Sequence, residues 1–158
     1  MKKILLPLIL SLLTLVTACK KDTCDEAESS IVASASEITT IQNYLTANSL
    51  TATQHSSGFF YNIITQGSST TPTLCASVTV RYKGTLLNGS VFDESTTNVS
   101  FLLKNLIVGW QKGIPLIQKG GKIKLYLPPS LGYGSSSSGS IPGNSTLIFD
   151  IELIGVEN

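Results

Sequence analysis

With one histidine and three cysteines in 158 residues, the chain is short of the side chains that carry most catalysis. His55 stands alone, and no cysteine or histidine recurs at metal-ligand spacing, which argues against a zinc site and against a histidine-dependent triad. No cofactor is called for. Basic runs are scarce too. Beyond Lys20-Lys21 no block of cations occurs, so nucleic acid is not an expected partner. A long hydrophobic run is also missing: the one apolar stretch, residues 4–16, is too short and wrongly flanked for a comfortable membrane span.

What is present begins with a leader. Lys2 and Lys3 precede the apolar stretch, and Thr17-Ala18 close it, which describes a secretory signal over residues 1–18. Val16-Thr17-Ala18-Cys19 resembles the lipobox of bacterial lipoproteins, in which the cysteine is acylated and becomes the first mature residue. Cys19 is the expected lipidation site, and two or more acyl chains would hold the protein on a membrane stably. Lys20 rather than aspartate follows it, so the outer membrane, on its periplasmic or its cell-surface face, is the expected address. Removing the leader leaves nine basic against ten acidic side chains. Cys24 and Cys75 then remain as an even pair in an oxidising compartment, read either as a disulfide or as two unpaired thiols.

Residues 19–35 are polar and read as a tether; residues 36–50 hold a short helix, and residues 51–158 one domain. In that helix Ile38, Ile41 and Leu45 share a face, with Ser36 as its N-cap and Asn48 near its end. At about three turns it is too short to suggest a dimerisation arm, and a monomer is expected. From residue 59 the pattern is mostly β. Residues 59–64 form an aromatic and branched run, and Val78, Val80 and Tyr82 alternate with polar neighbours. Asn88-Gly89 predicts a tight two-residue hairpin turn that ends in Phe92-Asp93. Residues 99–103 read as a short strand. Residues 107–117 read as a helix that Pro115 must kink or end. Residues 122–127 alternate Ile123, Leu125 and Leu127 against Lys122, Lys124 and Tyr126, and residues 146–154 give a last strand. The fold class is α+β: an antiparallel sheet wrapped around one short helix, preceded by an N-terminal helical arm.

Seven pieces in order then become specific: Val80-Arg81-Tyr82-Lys83-Gly84; Asn88-Gly89 with Phe92-Asp93; Phe101-Leu102-Leu103; Ile107-Val108-Gly109-Trp110; Pro128 to Tyr133-Gly134; Ile141-Pro142; and Leu147-Ile148-Phe149. Together they resemble the motif series of FKBP-type peptidyl-prolyl cis-trans isomerases, over roughly residues 50–158. The resemblance implies that Trp110 carries a proline ring walled by Tyr82, Phe92, Phe101, Leu106, Ile107 and Phe149. It implies that the Tyr133 hydroxyl and the Ile107 N–H bind substrate carbonyls, that Ile141 sits on an overhanging loop and that Asp93 orients at the edge. Tyr82, Phe92, Asp93 and Tyr133 are thus the expected catalytic group, and the expected partners are proline-containing polypeptides. No nucleophile, metal or acid–base pair is needed, because an apolar pocket favours a twisted, less polarised amide over the planar one. A peptide-binding or chaperone module with little turnover is the alternative. Two departures stand out: Arg81 replaces a common histidine, and residues 134–140 form a glycine-flanked run of serines.

Overall fold

Alternation gives the central strands one apolar face; six strands pair into one antiparallel sheet, and a short helix packed on it buries that face. The computed structural model describes residues 24–158; the expected leader, residues 1–18, and Cys19 lie outside the described residues. Helix α1 (Ala35–Ala47) comes first, then strands β1 (Thr53–Gln54), β2 (Phe60–Thr65), β3 (Ser77–Leu86) and β4 (Val91–Leu102). Helix α2 (Val108–Gly113) follows, and β5 (Lys122–Leu127) and β6 (Leu147–Glu157) close the chain. The strand order is β1-β2-β5-β6-β3-β4. The last strand therefore lies mid-sheet, where Phe149 pairs with Gly84 on one side and Leu125 on the other.

The inner face of the sheet carries Val78, Val80, Ile123, Leu125, Leu127, Leu147, Phe149 and Ile151; α2 lays Trp110 into it, and the turn that follows adds Ile114, as one core. Pro115 acts as expected. It cannot donate the N–H that another α-turn would require, so α2 ends at Gly113 and the chain tightens into a 3₁₀ turn over Ile114–Leu116.

Four expectations on local structure are corrected. The hairpin is not a two-residue turn: Gly89 N–H donates to the Leu86 carbonyl and Leu86 N–H to that of Ser90, so Leu87-Asn88-Gly89 form a three-residue loop. Only Gly89 takes the left-handed backbone there (φ +84°), while Asn88 accepts the Ser90 N–H on its side-chain oxygen instead. The expected strand at 99–103 is the far end of β4, continuous because β3 offers partners from Leu102 back to Val91. Helix α1 begins two residues early. Ser34, not Ser36, is its N-cap, in a reciprocal capping box with Glu37. Tyr126, expected on the polar side of its strand, is buried, because α1 covers the outer face there with Ile41 and Leu45 packed on Phe60, Tyr126 and Ile148.

The polar arm ahead of α1 is fastened to the domain. Cys24 and Cys75 form a disulfide with Cα atoms 5.6 Å apart, Lys104 pairs with Glu26 at 3.0 Å, and Ala33 N–H donates to the Ser57 carbonyl. Among the described residues no helix is long and apolar enough to cross a membrane.

Candidate active site

Where β3, β4 and β6 meet α2, four aromatic rings stand edge to face. Trp110 is the hub: its centroid lies 5.2 Å from Tyr82 at 82°, 5.2 Å from Phe149 at 85° and 6.3 Å from Phe101 at 84°. Such T-shaped contacts match ring edges to ring faces and fix the rings against rotation. Trp110 is buried, and its indole N–H has no hydrogen-bond partner among the described residues. Above it opens a cavity of about 150 Å³ lined by Tyr82, Asp93, Phe101, Leu106, Ile107, Trp110, Tyr133 and Phe149. That volume is of the order that admits one small ring.

Two devices bring Asp93 to this cavity. The β3–β4 pairing passes from Gly84–Asp93 to Thr85–Val91, so Phe92 is a bulged residue and the strand turns locally. Gly84 makes room for the bulge, since a Cβ there would lie 2.5 Å from the Phe92 ring. The Tyr82 hydroxyl donates to the Asp93 carboxylate at 2.6 Å, a charge-assisted bond across the two strands. Burial, with that bond and the Asp93 charge, pushes the Tyr82 phenol up to about 12. Tyr133 stands on the opposite rim with 43% of its surface exposed, and its phenol is raised by burial of its pocket side and by the Asp93 charge. Both phenols are protonated at neutral pH; Tyr82 gives its one hydrogen to Asp93, and that of Tyr133 is left for a ligand in the cavity.

The wall opposite the strands is held by a residue outside the sequence expectations. Gln111 Nε2 donates to the Leu106 carbonyl at 2.7 Å and to that of Lys104 at 3.0 Å, which ties the Leu106-Ile107 segment to α2. Glu37 and Ser130, bonded to each other, lie outside those expectations too. The capping pattern Ser34-x-x-Glu37 was a signal for Glu37; Gln111 had none, because a side-chain amide reaching back to its own loop leaves no pattern.

Of the ten pocket residues expected from the sequence, the cavity brings eight together. Phe92 and Ile141 are not among its lining residues. Phe92 sits behind the wall, edge to face with Phe149 at 5.4 Å, and acts on the cavity through that ring. Ile141 is buried in the inner core, where a bridge to Ser138 folds the serine loop back on itself. Arg81 points away from the core, as expected, and donates to Asn98. Among the described residues no cluster of three metal-ligating side chains occurs.

The model of the FKBP-type peptidyl-prolyl cis-trans isomerase family matches residues 68–154, more than half of the chain. The chain belongs to that family. Among curated relatives, this FKBP chain is 54% identical over 86 residues to the FKBP-type peptidyl-prolyl cis-trans isomerase FkpA of Buchnera aphidicola subsp. Schizaphis graminum, covering 52% of this chain and 34% of that one. It is 46% identical over 105 residues to the FkpA of Escherichia coli strain K12, covering 65% of this chain and 39% of the relative. The crystal structure of FkpA from Escherichia coli superposes with a TM-score of 0.70 at 38% identity, over 78% of this chain and 60% of that one. The FKBP chain thus spans about a third to two fifths of the length of the curated relatives it matches.

Proposed function

We propose that the chain is a peptidyl-prolyl cis-trans isomerase that accelerates X-Pro exchange in exported proteins. The observation that carries this reading is the cavity itself: a Trp110 floor with Tyr82, Phe101, Leu106, Ile107 and Phe149 around it, and hydroxyl and carboxylate groups confined to its rim. Rotation about a peptide bond meets a barrier of about 18–20 kcal/mol, most of it lost resonance. A proline ring seated on Trp110 brings the preceding amide into apolar surroundings, where its planar, more polar form loses solvation and the twisted form loses less. Tyr133 Oη and the Ile107 N–H would hold the flanking carbonyls, so the chain on one side of the bond is fixed while the other turns. Asp93 orients Tyr82 and keeps the rim polar. No proton moves and no bond is made.

The test is cis/trans exchange of a short X-Pro peptide. Asp93→Ala should lower kcat/KM about tenfold, which is about 1.4 kcal/mol of transition-state stabilisation. Its thermal midpoint should move little, since Asp93 is exposed. Peptide binding with no acceleration of exchange at micromolar protein would sink the enzyme reading in favour of a peptide-binding module. The exposed serines 135–138 limit apolar grip at the rim and favour a tolerant choice of substrate.

We further infer that the protein is an exported lipoprotein held through Cys19. The lipobox-like sequence and the Cys24–Cys75 disulfide support an oxidising compartment outside the cytoplasm. Because α1 buries its apolar face on its own sheet, that face is not free for a second copy, which favours a monomer. Cys19→Ser should release the protein from the membrane fraction; unchanged fractionation would defeat the anchor.

A further inference from the structure

Helix α1 lies on the outer face of the sheet, away from the cavity, yet one of its side chains reaches the rim segment. Glu37 accepts the Ser130 backbone N–H on Oε1 at 2.9 Å and the Ser130 hydroxyl on Oε2 at 3.1 Å. Its Oε2 also accepts the Ser34 N–H at 2.8 Å and the Ser34 hydroxyl at 2.9 Å, so one carboxylate closes the capping box and grips a loop 93 residues away in sequence. Burial pushes the Glu37 carboxyl up, and the donors from Ser34 and Ser130 outweigh it and hold the group below the usual carboxylate range.

Ser130 is the middle residue of the 3₁₀ turn Pro129–Leu131, three positions before Tyr133. The turn is bonded within itself, Leu131 N–H to the Pro128 carbonyl and both Gly132 and Gly134 N–H to that of Pro129. Beyond Tyr133, the Gly134 carbonyl accepts the Asn144 N–H. Tyr133 thus rides on a short segment with buried Leu131 and the Glu37 grip on one side and the Asn144 bond on the other. Its own ring is 43% exposed and belongs to neither buried core cluster, so the backbone of this segment sets its place on the rim.

We propose that Glu37 is a positioning residue for Tyr133: by gripping Ser130 it sets where the rim turn presents the Tyr133 hydroxyl, and so makes the N-terminal helix part of the pocket's substrate grip. The proposal rests on the reading of the cavity as the isomerase site. Glu37 touches neither cavity nor substrate, and its effect falls on binding. Losing the grip removes the equivalent of one hydrogen bond from substrate binding, so Glu37→Ala should raise KM about fivefold with kcat changed less than about twofold. Glu37→Gln keeps an oxygen for the Ser130 N–H and should recover part of the loss. Ser130→Ala, which leaves the α1 cap intact, should shift KM in the same direction by less.

The deciding measurements are a double variant and a spectroscopic probe. With Tyr133 already changed to Phe, Glu37→Ala should raise KM no further, and in protein with ¹³C-labelled tyrosine rings Glu37→Ala should move the Tyr133 resonance. Multiplying effects in the double variant would overturn the proposal. So would an unmoved Tyr133 signal and unmoved KM alongside a lowered thermal midpoint, which would make the contact a docking bond for α1 alone. If the unaltered chain shows no exchange activity, the isomerase reading fails by itself, and the tyrosine resonance still decides whether Glu37 positions Tyr133.

Discussion

The two faces of the sheet are made by the same strands and differ in what covers them. On the inner face Leu125, Leu127, Leu147, Phe149 and Ile151 meet α2 in one core that ends in the cavity. On the outer face Phe60, Tyr126 and Ile148 meet α1, its flank at Ala52 and Leu87 of the hairpin loop, and beside them run the cross-strand pairs Lys122–Glu152 and Lys124–Asp150. Those exposed pairs contribute little to stability. One strand therefore serves two unequal structures, since β5 sends Leu125 inward and Tyr126 outward. The inner face defines the fold. The outer patch is a fastening, and the route by which the arm reaches the rim.

The sharpest way to break that contrast is truncation on each side. Leu125→Ala removes a fully buried side chain from the large core and should cost about 3 kcal/mol, within the roughly 2–5 kcal/mol seen for such changes. Ile41→Ala empties an equally buried site, but in a small cluster whose helix can settle into the space, so about 2 kcal/mol is expected. Urea unfolding measures both. Equal midpoint shifts at unchanged m-value would show that α1 is as integral to the domain as α2.

Legibility in the sequence follows the same division. The inner face was readable because period-two alternation in β3, β5 and β6 is a local signal, and the ordered motifs placed Tyr82, Asp93, Phe101, Trp110, Tyr133 and Phe149 near one another. Tyr126 misled because alternation tells which side a residue takes, not whether a helix from elsewhere covers that side. The resemblance makes Phe92 a wall; the bulge, visible only in the pairing of Gly84 with Asp93 and Thr85 with Val91, packs it against Phe149 instead. Residue type alone makes Ser36 the cap; the capping box with Glu37 as the third helical residue selects Ser34. The Glu37–Ser130 and Gln111–Leu106 bonds were illegible, being side chain to backbone contacts with no spacing rule.

The smallest effect separates the two faces most cleanly. Tyr82 on the inner face and Tyr126 on the outer face both have phenols raised by burial, and only Tyr82 also donates to a carboxylate. A tyrosine whose folded pKa lies above its ordinary value near 10 binds its proton more tightly when folded. Its contribution to stability is therefore whole below about pH 10 and is lost as pH rises through its folded pKa, for Tyr82 about 12. Stability measured between those limits should fall less steeply in Tyr82→Phe than in the unaltered chain. Asp93→Asn removes the charge and leaves the burial, so in a titration followed by ¹³C NMR of labelled tyrosine rings the Tyr82 transition should move down towards its ordinary value, Tyr133 should move down as well, and Tyr126 should not move. A shift of Tyr126 would mean that the Asp93 field crosses the sheet, and the two faces would no longer be electrostatically separate.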